Sequence, residues 1–183
     1  MSDNQEFNEY LQQLSAISWP RWTDLPQFDL YMDQVVQFVN DLVRPAGMGE
    51  LTPTMVNNYV KKGIITAPKK KKYTRGQLAN IIVIAILKPV FSLDTIAGGI
   101  RYQLKNREAQ QAFDAFILQF ASAVHSIAAN FGGELVINSL SEADTTVIQD
   151  AMGQLAIKAV VQKLLVEMMV KMVTPEPEGK HKE

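Results

Sequence analysis

The stretch Leu51-Thr-Pro-Thr-Met-Val-Asn-Asn-Tyr-Val-Lys-Lys-Gly-Ile-Ile-Thr-Ala-Pro-Lys-Lys-Lys-Lys-Tyr-Thr-Arg75 decides how the rest of this chain is read. Thr52-Pro53 is a helix-start signal. A hydroxyl caps the first free N–H groups, and the proline ring then fixes φ where no N–H is needed. A helix over 53–62 follows, and Gly63 supplies the residue that ends it. At about 100° per residue, Val56 and Val60 fall on one side, flanked by Met55 and Tyr59. Thr54, Asn57, Asn58 and Lys61 fall together on the opposite side. Downstream, Ile64-Ile65-Thr66 is short and β-like. With Pro68 and the lysines it makes 64–74 a small hairpin or loop.

Charge singles out the same window. The 183 residues carry 18 basic and 19 acidic side chains, so the total says nothing. Residues 1–50 hold 2 basic and 8 acidic groups, and residues 94–183 hold 8 and 11. Residues 51–93 hold 8 basic groups and no acidic one. Even spreading would put about four or five carboxylates there. One basic module inside an acidic chain implies an anionic partner for one surface only.

Outward from that module the chain reads as helical. Phe7, Tyr10, Leu11, Leu14 and Ile17 have helical spacing. Trp19-Pro20-Arg21-Trp22 and Leu25-Pro26 break it, as an extended arm laid over apolar surface. Leu30 to Val43 mark a helix over about 30–44, with Asp29 as N-cap and Pro45 and Gly47 as its stop. Leu78 to Lys88 form another, halted at Pro89, and Ser92-Leu93-Asp94 opens a short one to about Tyr102. Phe113, Phe116, Ile117, Phe120, Val124, Ile127 and Phe131 recur at three and four residues, up to Gly132-Gly133. Ser141-Glu142-Ala143-Asp144 resembles a capping box and opens a long helix to about Val173. The fold class is therefore mostly α. Its segments are a helical arm over 1–18, a winged helix-turn-helix domain over 19–103 that contains the basic window, a helical dimerisation or sensing region over 104–173, and a disordered tail over 174–183.

The long helix has two apolar stripes. Ile157, Val161, Leu164, Met168 and Met172 make one. Leu155, Ala159, Val166, Val170 and Val173 make the other. Two apolar faces need two partners: the chain's own core and, for the second stripe, another protomer. A homodimer is the expectation. The alternative is one bundle burying both faces.

In chemical terms, Asn pairs bidentately with adenine edges, Thr touches a thymine methyl, and Lys reaches guanine or phosphate. Thr54, Asn57, Asn58 and Lys61 thus have the chemistry to read bases in a major groove. Lys62, Lys69, Lys70, Lys71, Lys72 and Arg75 have the charge to hold phosphates. Tyr59 and Tyr73, counted with this DNA-binding set, would fix the geometry between helix and wing. Each part alone has a plain structural reading, such as a solvated face or a solvated loop. Their conjunction carries the expectation of a DNA-binding transcriptional regulator. A protein-interaction module and a small-molecule-binding helical protein are the alternatives.

The quoted stretch, with Phe91-Ser-Leu-Asp-Thr-Ile96, resembles the winged helix-turn-helix DNA-binding domain of MerR regulators. Trp22, Leu25-Pro26, Leu30-Tyr-Met-Asp-Gln-Val35 and residues 51–96 resemble more closely a bacterial domain-of-unknown-function family, number eighteen thirty-six. That resemblance covers roughly residues 19–100 and implies a fold without an established activity. The MerR pattern usually has Arg where Asn57 stands and Tyr where Asn58 stands, and a shorter turn than 45–51. MerR-style promoter distortion therefore does not carry over. The resemblance also implies dimerisation through a long C-terminal helix.

Several classes are excluded or disfavoured. The chain has no Cys and two His, His125 and His181. This removes disulfides, thiolate metal sites and cysteine nucleophiles, and disfavours a His-based metal site. Asp29 and Asp33 sit near a helix start, where carboxylates favour the helix dipole. No nucleophile motif and no phosphate-cradling glycine loop is present. Catalysis, metals and cofactors are not expected. Met1 to Glu9 is polar and acidic, and the most apolar run, Ile81 to Leu87, is far below the roughly 20 residues of a bilayer span. A cytoplasmic protein without membrane contact is the expectation. The aromatic face of helix 109–131, with Met152, Met168, Met169 and Met172, is a candidate lining for an effector pocket, with ordinary core as the alternative.

Overall fold

A computed structural model describes residues 3–105, 107–129 and 145–174. Its centre is α4 (Arg75–Leu87). Ile81, Ile82, Ile84 and Ile86 are all fully buried, although they point in different directions around the helix. A helix apolar all round must be surrounded. Here the neighbours are α2 (Met32–Val43), α5 (Leu93–Gln103), α6 (Ala109–Ala129) and α7 (Thr145–Val173). Each buried isoleucine is worth about 1.5–3 kcal/mol. The remaining helices are α1 (Asp3–Ala16), packed on α6 and α7, and α3 (Pro53–Lys61), packed on α2.

The protein is mostly α-helical, as its periodicity predicts. One core runs from Leu11 through α4 to Leu165, so the segments drawn from the sequence share it. α6 has the length and apolarity to cross a bilayer, with a mean hydropathy of 1.4. Within the fold, Phe113, Ile117, Phe120 and Val124 face the core, while Asp114 is ion-paired.

The arm before α2 lies across α6. Trp19 packs edge-on to Phe120 at 4.7 Å, and Trp22 to Phe113 at 6.2 Å. Asp114 fastens it: Oδ1 accepts from Arg21 Nε at 3.0 Å and from the Trp22 backbone N–H at 2.8 Å. Burial alone would raise the Asp114 carboxyl. The Arg21 guanidinium and the Trp22 N–H outweigh it and hold the group below its ordinary value.

Two expectations need correction. Leu30-Tyr31 is not helical. It is strand β1, antiparallel to β2 (Lys72–Tyr73), with Leu30 opposite Tyr73 and Tyr31 opposite Lys72. Asp29 therefore does not cap α2. The Tyr31 backbone N–H is taken instead by Gln34 Oε1 at 2.9 Å. In addition, Ile64-Ile65-Thr66 is not a strand. The hairpin shrinks to a tight turn at 69–72, because the strand partner of β2 lies some forty residues upstream.

On α7 the two stripes separate. Ile157, Val161 and Leu164 are buried. Val166, Val170 and Val173 are more than half exposed, Leu155 is exposed and Ala159 half-buried. The Gly132-Gly133 stop, the Ser141–Asp144 capping box and the tail from 175 lie outside the described residues.

Candidate nucleic-acid interface

Local chemistry sets α3 as the sequence predicts. Thr52 Oγ1 accepts from the Met55 backbone N–H at 3.3 Å, with Pro53 in the first turn. At the other end Gly63 has φ +68°, and the Ile64 and Ile65 N–H groups both return to the Tyr59 carbonyl. That satisfies a carbonyl which would otherwise be orphaned at a helix end.

Val56 and Tyr59 are the buried anchors of α3. Thr54, Asn57, Asn58, Lys61 and Lys62 are all exposed. The polar side of the helix thus faces solvent without a carboxylate of its own.

Two side chains that the sequence reading overlooked hold this helix and the segment after it. Buried Asn40 on α2 clamps Leu51: its Oδ1 accepts the Leu51 N–H at 2.7 Å and its Nδ2 donates to the Leu51 carbonyl at 3.0 Å. Both backbone groups immediately before the α3 cap are satisfied in this way. Gln77 on α4 does the same for the approach to the turn, donating to the Thr66 carbonyl at 2.7 Å and accepting the Thr74 N–H at 2.7 Å. The available signal was a polar residue inside an apolar stripe, since a buried amide demands partners.

The turn itself is made of lysine. The Lys72 N–H donates to the Lys69 carbonyl at 2.9 Å. Between them Lys70 and Lys71 have φ +50° and +64°. Two successive positive φ values are the mark of a type I′ turn, normally Asn-Gly. Lys69, Lys70 and Lys71 are exposed, and Lys72 is half-buried with its Nζ 4.9 Å from the Tyr31 ring centre. Among the described residues, none of Lys61, Lys62 and Lys69–Lys72 is ion-paired.

Three members of the expected contact set have other work. Tyr59 and Tyr73 are almost wholly buried, and burial raises both hydroxyls above the ordinary tyrosine value. They cannot touch DNA and remain as positioning residues; the Tyr59 hydroxyl has no hydrogen-bond partner among the described residues. Arg75 is half-buried, with Nε donating to the Pro26 carbonyl at 3.2 Å and the guanidinium 5.9 Å from the Trp22 ring centre. It is committed to the arm.

The class is thus a mostly α-helical protein that presents a capped helix with a polar outer face, followed by a turn of lysines that form no ion pair among the described residues. The chain belongs to the family described as domain of unknown function DUF1836, whose model matches residues 20–116. No curated protein and no solved structure matches it.

Proposed function

We propose that this protein is a DNA-binding transcriptional regulator with a MerR-like winged helix-turn-helix, working as a dimer in the cytoplasm. α3 enters the major groove, where Thr54, Asn57, Asn58 and Lys61 meet base edges. Lys62 and Lys69–Lys72 meet phosphates. The single observation that carries this reading is the lysine turn, shaped by two left-handed lysines and without an ion pair among the described residues, that follows a helix whose outer face is uncharged-polar and cationic. Lys72 is partly used by the fold, over the Tyr31 ring, but Lys69, Lys70 and Lys71 make no ion pair among the described residues, and a polyanion would supply one.

The dimer reading rests on the free stripe of α7. Val166, Val170 and Val173 are exposed together with neighbouring Met169, a face that a second copy would cover. Leu155 and Ala159 lie instead at the wall of a cavity.

Selection from a random DNA pool tests the function. The expected outcome is an enriched motif with two-fold symmetry. Binding should fall with salt at a log–log slope of about −5 to −7, for roughly 6–8 phosphates neutralised per dimer. No binding at low salt would refute the reading and favour a protein-interaction module. Steep but sequence-blind binding would refute base reading by α3.

A further inference from the structure

A half-open cavity of about 660 Å³ lies where α4 and α5 meet α6 and α7. About 300–1,000 Å³ is the range of small-molecule sites. Small residues on three helices make the space: Ala79, Ala112 and Ala156. Val83, Phe91, Phe113 and Met152 supply its apolar wall, and Trp22 of the arm lines it too. Of the methionines expected around an effector pocket, only Met152 reaches it.

The polar groups on this wall divide in two. One set is spent internally. Gln103 Nε2 donates to the Gln149 carbonyl at 2.7 Å, Gln149 Nε2 donates to the Tyr102 carbonyl, and Arg107 pairs with Asp150 at 2.6 Å. The other set is unspent. The half-buried amides of Asn80 and Gln119 have no hydrogen-bond partner among the described residues. Gly153 leaves room for Gln119, whose Oε1 would lie 3.1 Å from a Cβ added there.

We propose that this cavity binds an uncharged, mostly apolar small molecule through one or two hydroxyl, carbonyl or amine groups. The apolar wall takes its body, and Asn80 and Gln119 take its polar groups. An anionic head is disfavoured, because Arg107, the cation that the described residues place on the wall, is already paired and a desolvated, unpaired carboxylate is costly.

The test uses the full chain and N-phenyl-1-naphthylamine, an uncharged probe that fluoresces in apolar surroundings. Saturable one-to-one binding is expected, with energy transfer from tryptophan because Trp22 forms part of the wall. Ala112→Phe should fill the space and weaken the probe by about tenfold or more, with circular dichroism and Tm retained. Ala156→Leu serves if that variant does not fold. Leu118→Glu, on the exposed side of α6 and away from the cavity wall, should leave the probe unaffected. 1-Decanol should displace the probe at about tenfold lower concentration than decanoate at pH 8, an advantage that Asn80→Leu reduces. Absence of saturable binding, or binding indifferent to both filling variants, overturns the site. Decanoate matching decanol overturns its chemistry. Probe binding that emerges only on dilution of an oligomer overturns the small-molecule reading and makes the groove an interface between copies. No readout involves DNA, so the site and the proposed function fail separately.

Discussion

Lys70 and Lys71 hold a backbone conformation that lysine adopts only at a cost. A Cβ in the left-handed region meets the neighbouring carbonyl, at about 1–2 kcal/mol per residue. Strain of this kind marks places where function outweighs folding. The double substitution Lys70→Asn with Lys71→Gly should therefore move two properties in opposite directions. Stability in urea should rise by about 1 kcal/mol, since an Asn-Gly pair suits the turn. Affinity for every DNA sequence should fall, and the salt slope should flatten by about 2 per protomer as two phosphate contacts vanish. A gain in stability with DNA binding unchanged would leave the strain without a role in binding. Asn57→Ala tests the complementary half. It should cost about 1–3 kcal/mol on the selected site, because an amide that pairs bidentately with a base edge is gone, while random DNA is held as before. Titrations of both DNAs by fluorescence anisotropy separate the two effects.

The elements differ in how visible they were beforehand. α3 and α5 were legible because their signals are local: Thr52 and Ser92 each cap the helix that begins beside them. β1 and β2 were not, because two-residue strands have no periodicity and their pairing joins residues some forty apart. The polar face of α3 followed from helical geometry alone. The burial of Tyr73 depended on a pairing that the sequence does not announce, and with it went one supposed contact. Asn40 stood in the apolar stripe of α2 with its partner on a loop that no pattern could place. Asn40→Leu should strand both backbone groups of Leu51 and destabilise the protein by about 2–3 kcal/mol in urea unfolding. The arm makes a pH prediction. The Asp114 carboxyl is held low by Arg21 and Trp22 despite burial. Its contribution is thus present above the ordinary carboxylate pKa of about 3.9 and lost as pH falls through the lower folded value. Asp114→Asn should cost about 1 kcal/mol at neutral pH, discounted because Arg21 is partly exposed. Its difference from the native protein should shrink below about pH 4, measured by urea unfolding across that range.

One core links the lysine turn to the C-terminal helices, and α4 is the link. Its first residue follows the Thr74 cap beside β2, and its side carries Ala79, Asn80 and Val83 to the cavity wall. α7 closes the opposite wall with Met152 and Ala156, then continues to the exposed Val166, Val170 and Val173. The same helix therefore touches the proposed ligand site and the proposed dimer face. Periodicity showed that α7 has two apolar faces but not which residues each partner takes, because Leu155 and Val166 look alike in sequence. Burying a valine contributes about 1.5–3 kcal/mol, so a carboxylate on each copy at Val166 and Val170 should abolish a dimer held by that face. In sedimentation velocity, V166E with V170E should run as a folded monomer with unchanged circular dichroism. On the selected two-fold site it should lose the affinity gained by linking two half-sites, commonly a factor of about 10²–10⁴. On a single half-site it should bind as the native chain does, since α3 and the lysine turn are untouched. A native chain that already sediments as a monomer at the concentrations where it binds DNA would remove the dimer from the mechanism. The contacts of α3 would then have to carry recognition alone.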